Sequence, residues 1–216
     1  MPVVTRIEPR RGAGLLVEID EERLRPVPRP VAEAFELRAG LELSPARTAA
    51  LRAEVDRYAA RDAALRLLAR RPYARAELAR RLGRRGLPPE AVEWALARCE
   101  ALGYLDDSEF AVSYVRDRLR LRPRAPALLR DELRARGVDP ATAAAAVEAG
   151  LAEAGIAEGD LLRRLATRRA RALAGTPDRE AARRRLAGWL RRRGFAPGDV
   201  RDAVDESLPP APPRPD

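Results

Sequence analysis

The sequence predicts a mainly α fold: three tandem three-helix repeats, preceded by a small N-terminal segment that contains a β-hairpin. Three observations carry this expectation. Charged residues make up 35% of the chain and aromatics only 4%, which suits helices with polar outer faces and Leu/Val/Ala cores better than a sheet protein. The chain repeats itself around Gly86, Gly137 and Gly194. Each of these glycines is followed three residues later by a proline (Pro89, Pro140, Pro197), so a helix stop is coupled each time to a helix start.

The first segment, 1–58, is where the β-favouring residues lie. Val3 to Glu8 and Leu15 to Ile19 read as two short strands, and Pro9 to Gly14 between them supplies turn chemistry. An isolated hairpin is marginal, so this one must pair with more strand or dock on a helix. Pro26, Pro28 and Pro30 then interrupt the chain before a short apolar pattern from Val31 to Leu37. Ser44-Pro45 reads as an N-cap and first helical residue, opening a long helix toward Arg70 that Pro72 ends.

The repeats follow, over 59–107, 108–157 and 158–208. A leucine stands four residues before each aligned glycine (Leu82, Leu133, Leu190) and another eight before (Leu78, Leu129, Leu186). Leucines four apart form one apolar stripe of a helix. The residue just before each glycine is arginine (Arg85, Arg136, Arg193), which is favourable at a helix C-terminus. An apolar residue follows (Leu87, Val138, Phe195), and the helix opened by the proline carries Val92, Ala143 and Val200, then Leu96, Val147 and Val204. A further helix precedes each pair, near Asp62–Arg70, Glu109–Arg120 and Leu161–Leu173. Beyond them, 209–216 is rich in proline and is expected to be an extended, disordered tail.

Composition excludes much chemistry. All 42 basic residues are arginine; His, Lys, Asn and Gln are absent, and Cys99 is the single cysteine. No His/Cys zinc site, Ser-His-Asp or Cys-His nucleophile, lysine Schiff base or internal disulfide can be built from this set. No catalytic residue, metal ligand or cofactor is therefore expected, and a lone cysteine fits a reducing, cytoplasmic setting. No apolar run is long enough to span a membrane.

The sharpest local motif is Gly103-Tyr104-Leu105-Asp106-Asp107-Ser108-Glu109-Phe110-Ala111. Gly103 closes a helix, Tyr104 and Leu105 are expected to pack back into the core, and Phe110 starts the next buried stripe. Asp106 and Glu109 have capping-box spacing. Asp106 and Asp107 are accordingly read as caps in preference to a metal or acid–base pair.

This motif, with Ala64-Leu65-x-x-Leu68-x-x-Arg71, Glu77-Leu78-x-x-x-Leu82, Glu132-Leu133-x-x-x-Gly137-Val138 and Leu190-x-x-Arg193-Gly194-Phe195, resembles the RecX family of bacterial RecA regulators. Val4-Thr5-x-Ile7 and Leu37-x-x-Gly40-x-x-Leu43 resemble the family's leading segment. The chain departs from it at Ala74, where members usually place a small hydroxyl residue, and in having arginine wherever they often have lysine. The resemblance implies an elongated, curved array of repeats that binds the groove of the RecA filament. It also implies damping of ATP hydrolysis and strand exchange, filament loss, and a part in recombination, DNA repair and the SOS response, with no enzymatic activity.

The residues themselves locate a surface. The net charge of +9 is unevenly distributed: residues 163–201 hold thirteen arginines against three acids, whereas 1–58 is balanced. With Leu186 and Leu190 inward, at about 100° per residue, Arg184, Arg185, Arg191 and Arg192 point outward, and Arg183 and Arg193 lie at the edge. In the preceding helix Leu161, Leu162, Leu165 and Ala172 are set inward, leaving Arg163, Arg164 and Arg171 outside. Seven outward arginines point to a polyanion or an acidic protein face, against the plain alternative of a solvated surface in which Glu180 pairs with Arg184. Without Asn or Gln, and with few aromatics, binding to single- or double-stranded DNA is expected to be sequence-independent and salt-sensitive. The expected partners are the RecA filament and DNA, bound by a monomer. The alternatives are a DNA-binding repeat protein with no recombinase partner and a basic scaffold for an acidic protein.

Overall fold

The computed structural model describes residues 1–10 and 14–209, arranged as two compact units that divide after Asp106. Arg11, Gly12 and Ala13 of the expected turn, and 210–216 of the expected tail, lie outside the described residues. In the first unit, β1 (Val4–Pro9) and β2 (Leu15–Ile19) form the predicted antiparallel pair, with Ile7 opposite Val17. A third strand, β3 (Glu22–Arg23), extends it, and Val3 and Leu15 bridge to Glu42 and Val27. The hairpin thus finds both more strand and a helix. Val4, Val17 and Ile19 pack with Leu24, Val27 and Leu43 against Val31 of α1 (Arg29–Ala34) and against Leu51 and Val55 of α2 (Pro45–Leu68).

Ser44 caps α2 as its sequence predicts, accepting a hydrogen bond from the Arg47 backbone N–H at 3.2 Å. This helix serves two cores in succession. Its first half closes the sheet module, while Ala60, Ala63, Ala64 and Leu67 begin the core of the first repeat. That core is completed by α3 (Arg75–Gly83) and α4 (Pro89–Ala101). Ion pairs tie the module to α2: Arg25 to Asp56 at 2.8 Å, and Arg52 to Glu22 through two bonds of 2.7 and 2.9 Å.

The second unit holds α5 (Asp107–Leu121), α6 (Pro126–Arg136) and α7 (Pro140–Glu153), then α8 (Glu158–Leu173), α9 (Arg179–Arg191) and α10 (Pro197–Ser207). The six aligned leucines of the three repeats have no exposed surface at all. Gly86, Gly137 and Gly194 carry φ of 69°, 95° and 84°, the left-handed geometry that closes a helix and frees the chain to turn. Pro89, Pro140 and Pro197 each take the first helical position, as predicted.

Two packing expectations are corrected. Tyr104 does not pack inward: it is 58% exposed, while Leu105 alone turns into the core. Ala172 is exposed as well; Ala166, Ala170 and Leu173 line the inner face of α8 with the three predicted leucines. A small apolar side chain at the border of a stripe is assigned inward by counting, yet it gains little from burial there.

Ala74 sits at the N-cap of α3 with extended backbone and makes no side-chain cap bond. Glu77 occupies the third helical position, so Ala74→Ser would complete a Ser-x-x-Glu box. The expected gain is about 0.5–1 kcal/mol, visible as a raised Tm in thermal unfolding. An unchanged or lowered Tm would show that the hydroxyl cannot reach the helix N–H groups from this buried position.

Candidate functional site

The second unit displays the arginines singled out in the sequence. Arg163, Arg164 and Arg171 of α8, Arg184, Arg185 and Arg191 of α9, and Arg192 just beyond it are all exposed. They do not form one patch. Arg184 and Arg191 line a groove of about 400 Å³ between α9 and α10, with Arg183 and Arg201 at its edge and Ala187, Val200 and Val204 on its floor. Arg163 lines a different cleft of about 550 Å³, among Asp199, Asp202 and Glu206, and pairs with Asp160 at 2.6 Å. Asp160, first by its hydrogen bond, raises the Arg163 guanidinium above its ordinary value. Its charge is therefore largely answered from within the chain.

The expected Glu180–Arg184 pair is replaced. Glu180 meets Arg183 at 3.6 Å, and Arg184 meets Asp178 at 3.7 Å. Arg183 also pairs with Asp205 and donates to the Leu208 carbonyl, which explains why it lies half-buried. Arg164, Arg171, Arg185, Arg191 and Arg192 make no ion pair among the described residues. Arg164 and Arg171, with Arg168 between them, follow helical spacing along one stripe of α8.

A second group was passed over in the sequence. The Arg193 guanidinium carbon stands 3.5 Å from the centre of the Trp189 ring and that of Arg169 stands 5.7 Å from it. Burial pushes Arg193 below the ordinary arginine value, and the like charges of Arg124, Arg169, Arg168 and Arg192 push it further. Two arginines without a carboxylate, 169 and 193, therefore share one indole, and Arg168 and Arg192 add like charge near Arg193; Arg124 is held by Glu132. Counting angles from the leucines places Trp189, Arg168 and Arg169 at a stripe border, where aromatic and long cationic chains read as core edge. The usable signal was the absence of any carboxylate within reach of the two stripes.

The Gly103-Tyr104-Leu105-Asp106-Asp107 motif ends the first unit and opens α5, with Asp106 immediately before the helix and Asp107 its first residue. Phe110 is buried, and its ring stacks on Tyr114 with centroids 6.1 Å apart. Cys99 is buried in the first repeat, and burial pushes its thiol up, away from the reactive thiolate. No helix among the described residues is long and apolar enough to cross a membrane.

The fold and this surface define a tandem three-helix-repeat protein whose last repeat exposes several arginines that make no ion pair among the described residues. Family models for the first, second and third three-helix domains of RecX match residues 60–99, 106–147 and 157–204. The chain belongs to the RecX family. Over 124 residues, 57% of this chain, it is 39% identical to the regulatory protein RecX of Streptomyces coelicolor and 43% identical to that of Thermobifida fusca. These matches span 64% and 65% of the relatives' own lengths. A crystal structure of regulatory protein RecX has the same fold, with a TM-score of 0.62 at 22% identity, covering 95% of this chain and all of that one. RecX from Lactobacillus salivarius, at 19% identity, superposes with a TM-score of 0.54 over 70% of this chain and 96% of its own.

Proposed function

We propose that this chain is a non-enzymatic, cytoplasmic regulator that binds the RecA nucleoprotein filament as a monomer and lowers its ATPase and strand-exchange activities. Through this it would modulate recombination and DNA repair. The observation that carries the proposal is membership of a family whose relatives are named regulatory protein RecX. The second unit supports it physically. Its exposed arginines, most of them without an ion pair, face solvent where a polyanionic filament can be met. The contacts assigned to Arg163, Arg164, Arg171, Arg184, Arg185, Arg191 and Arg192 are with phosphate groups, hence sequence-independent.

The deciding experiment is titration of this chain into RecA ATPase assays on single-stranded DNA, with the DNA in excess. Inhibition at or below one chain per RecA, persisting as free DNA is added, is expected of a filament binder. Relief by added DNA would leave a DNA-binding repeat protein that competes for the template. No inhibition and no salt-sensitive DNA affinity would leave a scaffold for an acidic protein.

A further inference from the structure

Each repeat brings two arginines to one aromatic ring, and the three repeats differ in what neutralises them. In the first, Arg71 and Arg81 stand 3.7 and 5.2 Å from the centre of Tyr73, and Glu77 pairs with them at 2.6 and 3.5 Å. In the second, Arg118 and Arg136 stand 4.7 and 4.6 Å from Tyr114. Here Glu132 pairs with Arg118 at 3.5 Å and with Arg124, and it accepts the Tyr114 hydroxyl at 2.5 Å. In the third, Arg169 and Arg193 approach Trp189, and neither meets a carboxylate among the described residues.

Trp189 takes the place of Glu132. Both stand five residues before the glycine that closes their helix. The backbone agrees: Arg136 donates from Nη1 to the Glu132 carbonyl at 3.0 Å, and Arg193 donates from Nη1 to the Trp189 carbonyl at 3.5 Å. The third repeat thus keeps the arginine pair and exchanges the acid for an indole. The Nε atoms of Arg169 and Arg193 are buried and meet no acceptor among the described residues. Exposed Arg168 and Arg192 add two further charges beside them. Like charges held this close oppose folding, and a bound anion would offset that cost.

We propose that Arg169 and Arg193, held on Trp189, together with exposed Arg168 and Arg192 next to them in the chain, are where this protein holds the phosphodiester backbone of a nucleic acid. The inference rests on the functional reading above and adds to its surface Arg168, Arg169, Arg193 and Trp189, which adjoin Arg192. Two features favour phosphodiesters over carboxylates. The position a carboxylate fills in the second repeat is filled by the indole in the third, so an anion must approach from outside, across Arg168 and Arg192. Several guanidinium forks at one spot also suit a chain of regularly spaced phosphates, whose oxygens they match in pairs. Arg193 covers the ring at 3.5 Å, so the indole's part is to hold a guanidinium in place, with no stacking on a base.

Trp94 and Trp189 are the two tryptophans, so a Trp94→Phe chain reports on Trp189 alone. Titrating it with an oligothymidylate of about twenty nucleotides is expected to change Trp189 emission saturably, and added salt should reverse the change. Trp189→Glu, which restores the acid of the second repeat, is expected to lower affinity for that oligonucleotide about tenfold and to reduce its salt dependence. The neutral Trp189→Gln should cost about twofold to threefold, since it leaves the phosphate charge interaction in place. Poly-glutamate at equal charge concentration should leave the emission unchanged. Unaltered Trp189 emission at saturating oligonucleotide, or wild-type affinity in the Trp189→Glu chain, overturns the proposal. So does a poly-glutamate response equal to the oligonucleotide's, which would assign the site to an acidic protein. Because the emission readout uses the intact site, it holds even if Trp189→Glu fails to fold. Failure of the filament reading appears elsewhere, as RecA ATPase that the wild-type chain does not inhibit.

Discussion

Reversing Arg184, Arg191 and Arg192 to Glu in one chain is expected to weaken filament binding by about a hundredfold and to lower the dependence of log affinity on log salt by about 2. Each lost phosphate contact on a single strand accounts for about 0.7 of that slope. Three charges change sign on one helix and the turn after it, a net change of six units. Arg184 and Arg191 leave the α9/α10 groove with only Arg183 and Arg201, and the reversal at 192 sets a carboxylate beside Arg193. The fold should survive. The single pair broken is Arg184 with Asp178 at 3.7 Å, between side chains 70% and 63% exposed, and such pairs contribute no more than about 1 kcal/mol. Circular dichroism checks the fold, and the concentration needed for half-inhibition of RecA ATPase reads the effect. Wild-type potency in the triple variant would place the contact off this face of the third repeat.

That prediction could be framed from the sequence because helix period alone decides which residues leave the core. The leucines four apart at 78 and 82, 129 and 133, and 186 and 190 are fully buried, and the arginines counted outward from 186 and 190 are exposed. Caps were legible for the same reason: Ser44, the aligned glycines and the prolines three residues later each act within one turn of backbone. Elements defined by partners were not legible. Strand β3 is two exposed charged residues reached through Asp20 and Glu21 at φ of 49° and 67°, a turn that glycine or asparagine would ordinarily announce. Tyr104 looked like core because it is aromatic and sits beside Leu105, yet nothing local sets its direction.

The candidate site divides along the same line. Exposure followed from periodicity, but neutralisation did not, because an acid's partner depends on which helix packs beside it. Asp160 was available to Arg163 from one turn away, and Glu132 reaches Arg124 across a loop and Arg118 across a helix pair. The uncompensated group at Trp189 emerges only when the second and third repeats are superposed in sequence and in hydrogen bonding together.

Gly194→Ala is expected to destabilise the second unit by about 3 kcal/mol, from two sources acting at once. The glycine has φ of 84°, a conformation that costs an L-residue about 1 kcal/mol. An added Cβ would also lie 2.6 Å from Cβ and 2.9 Å from Cδ2 of Leu128 on α6, which belongs to the preceding repeat. The turn is not free to slide away, because the Arg193 carbonyl accepts the Ala125 backbone N–H at 2.8 Å. Overpacking of this kind costs about 1–3 kcal/mol. Gly155→Ala separates the two sources: it lies in the same unit at φ of 60°, with no atom within 4 Å of the added Cβ, so only the backbone strain of about 1 kcal/mol is expected. Combining Gly194→Ala with Leu128→Gly should cost less than the sum of the single changes, by about 1–2 kcal/mol, because the Cβ, Cγ and Cδ2 that the added methyl would meet are then all gone. Urea unfolding of the four variants measures all of these differences. If Gly194→Ala costs no more than Gly155→Ala, or the pair with Leu128→Gly is additive, then the last two repeats are not seated on one another at this turn.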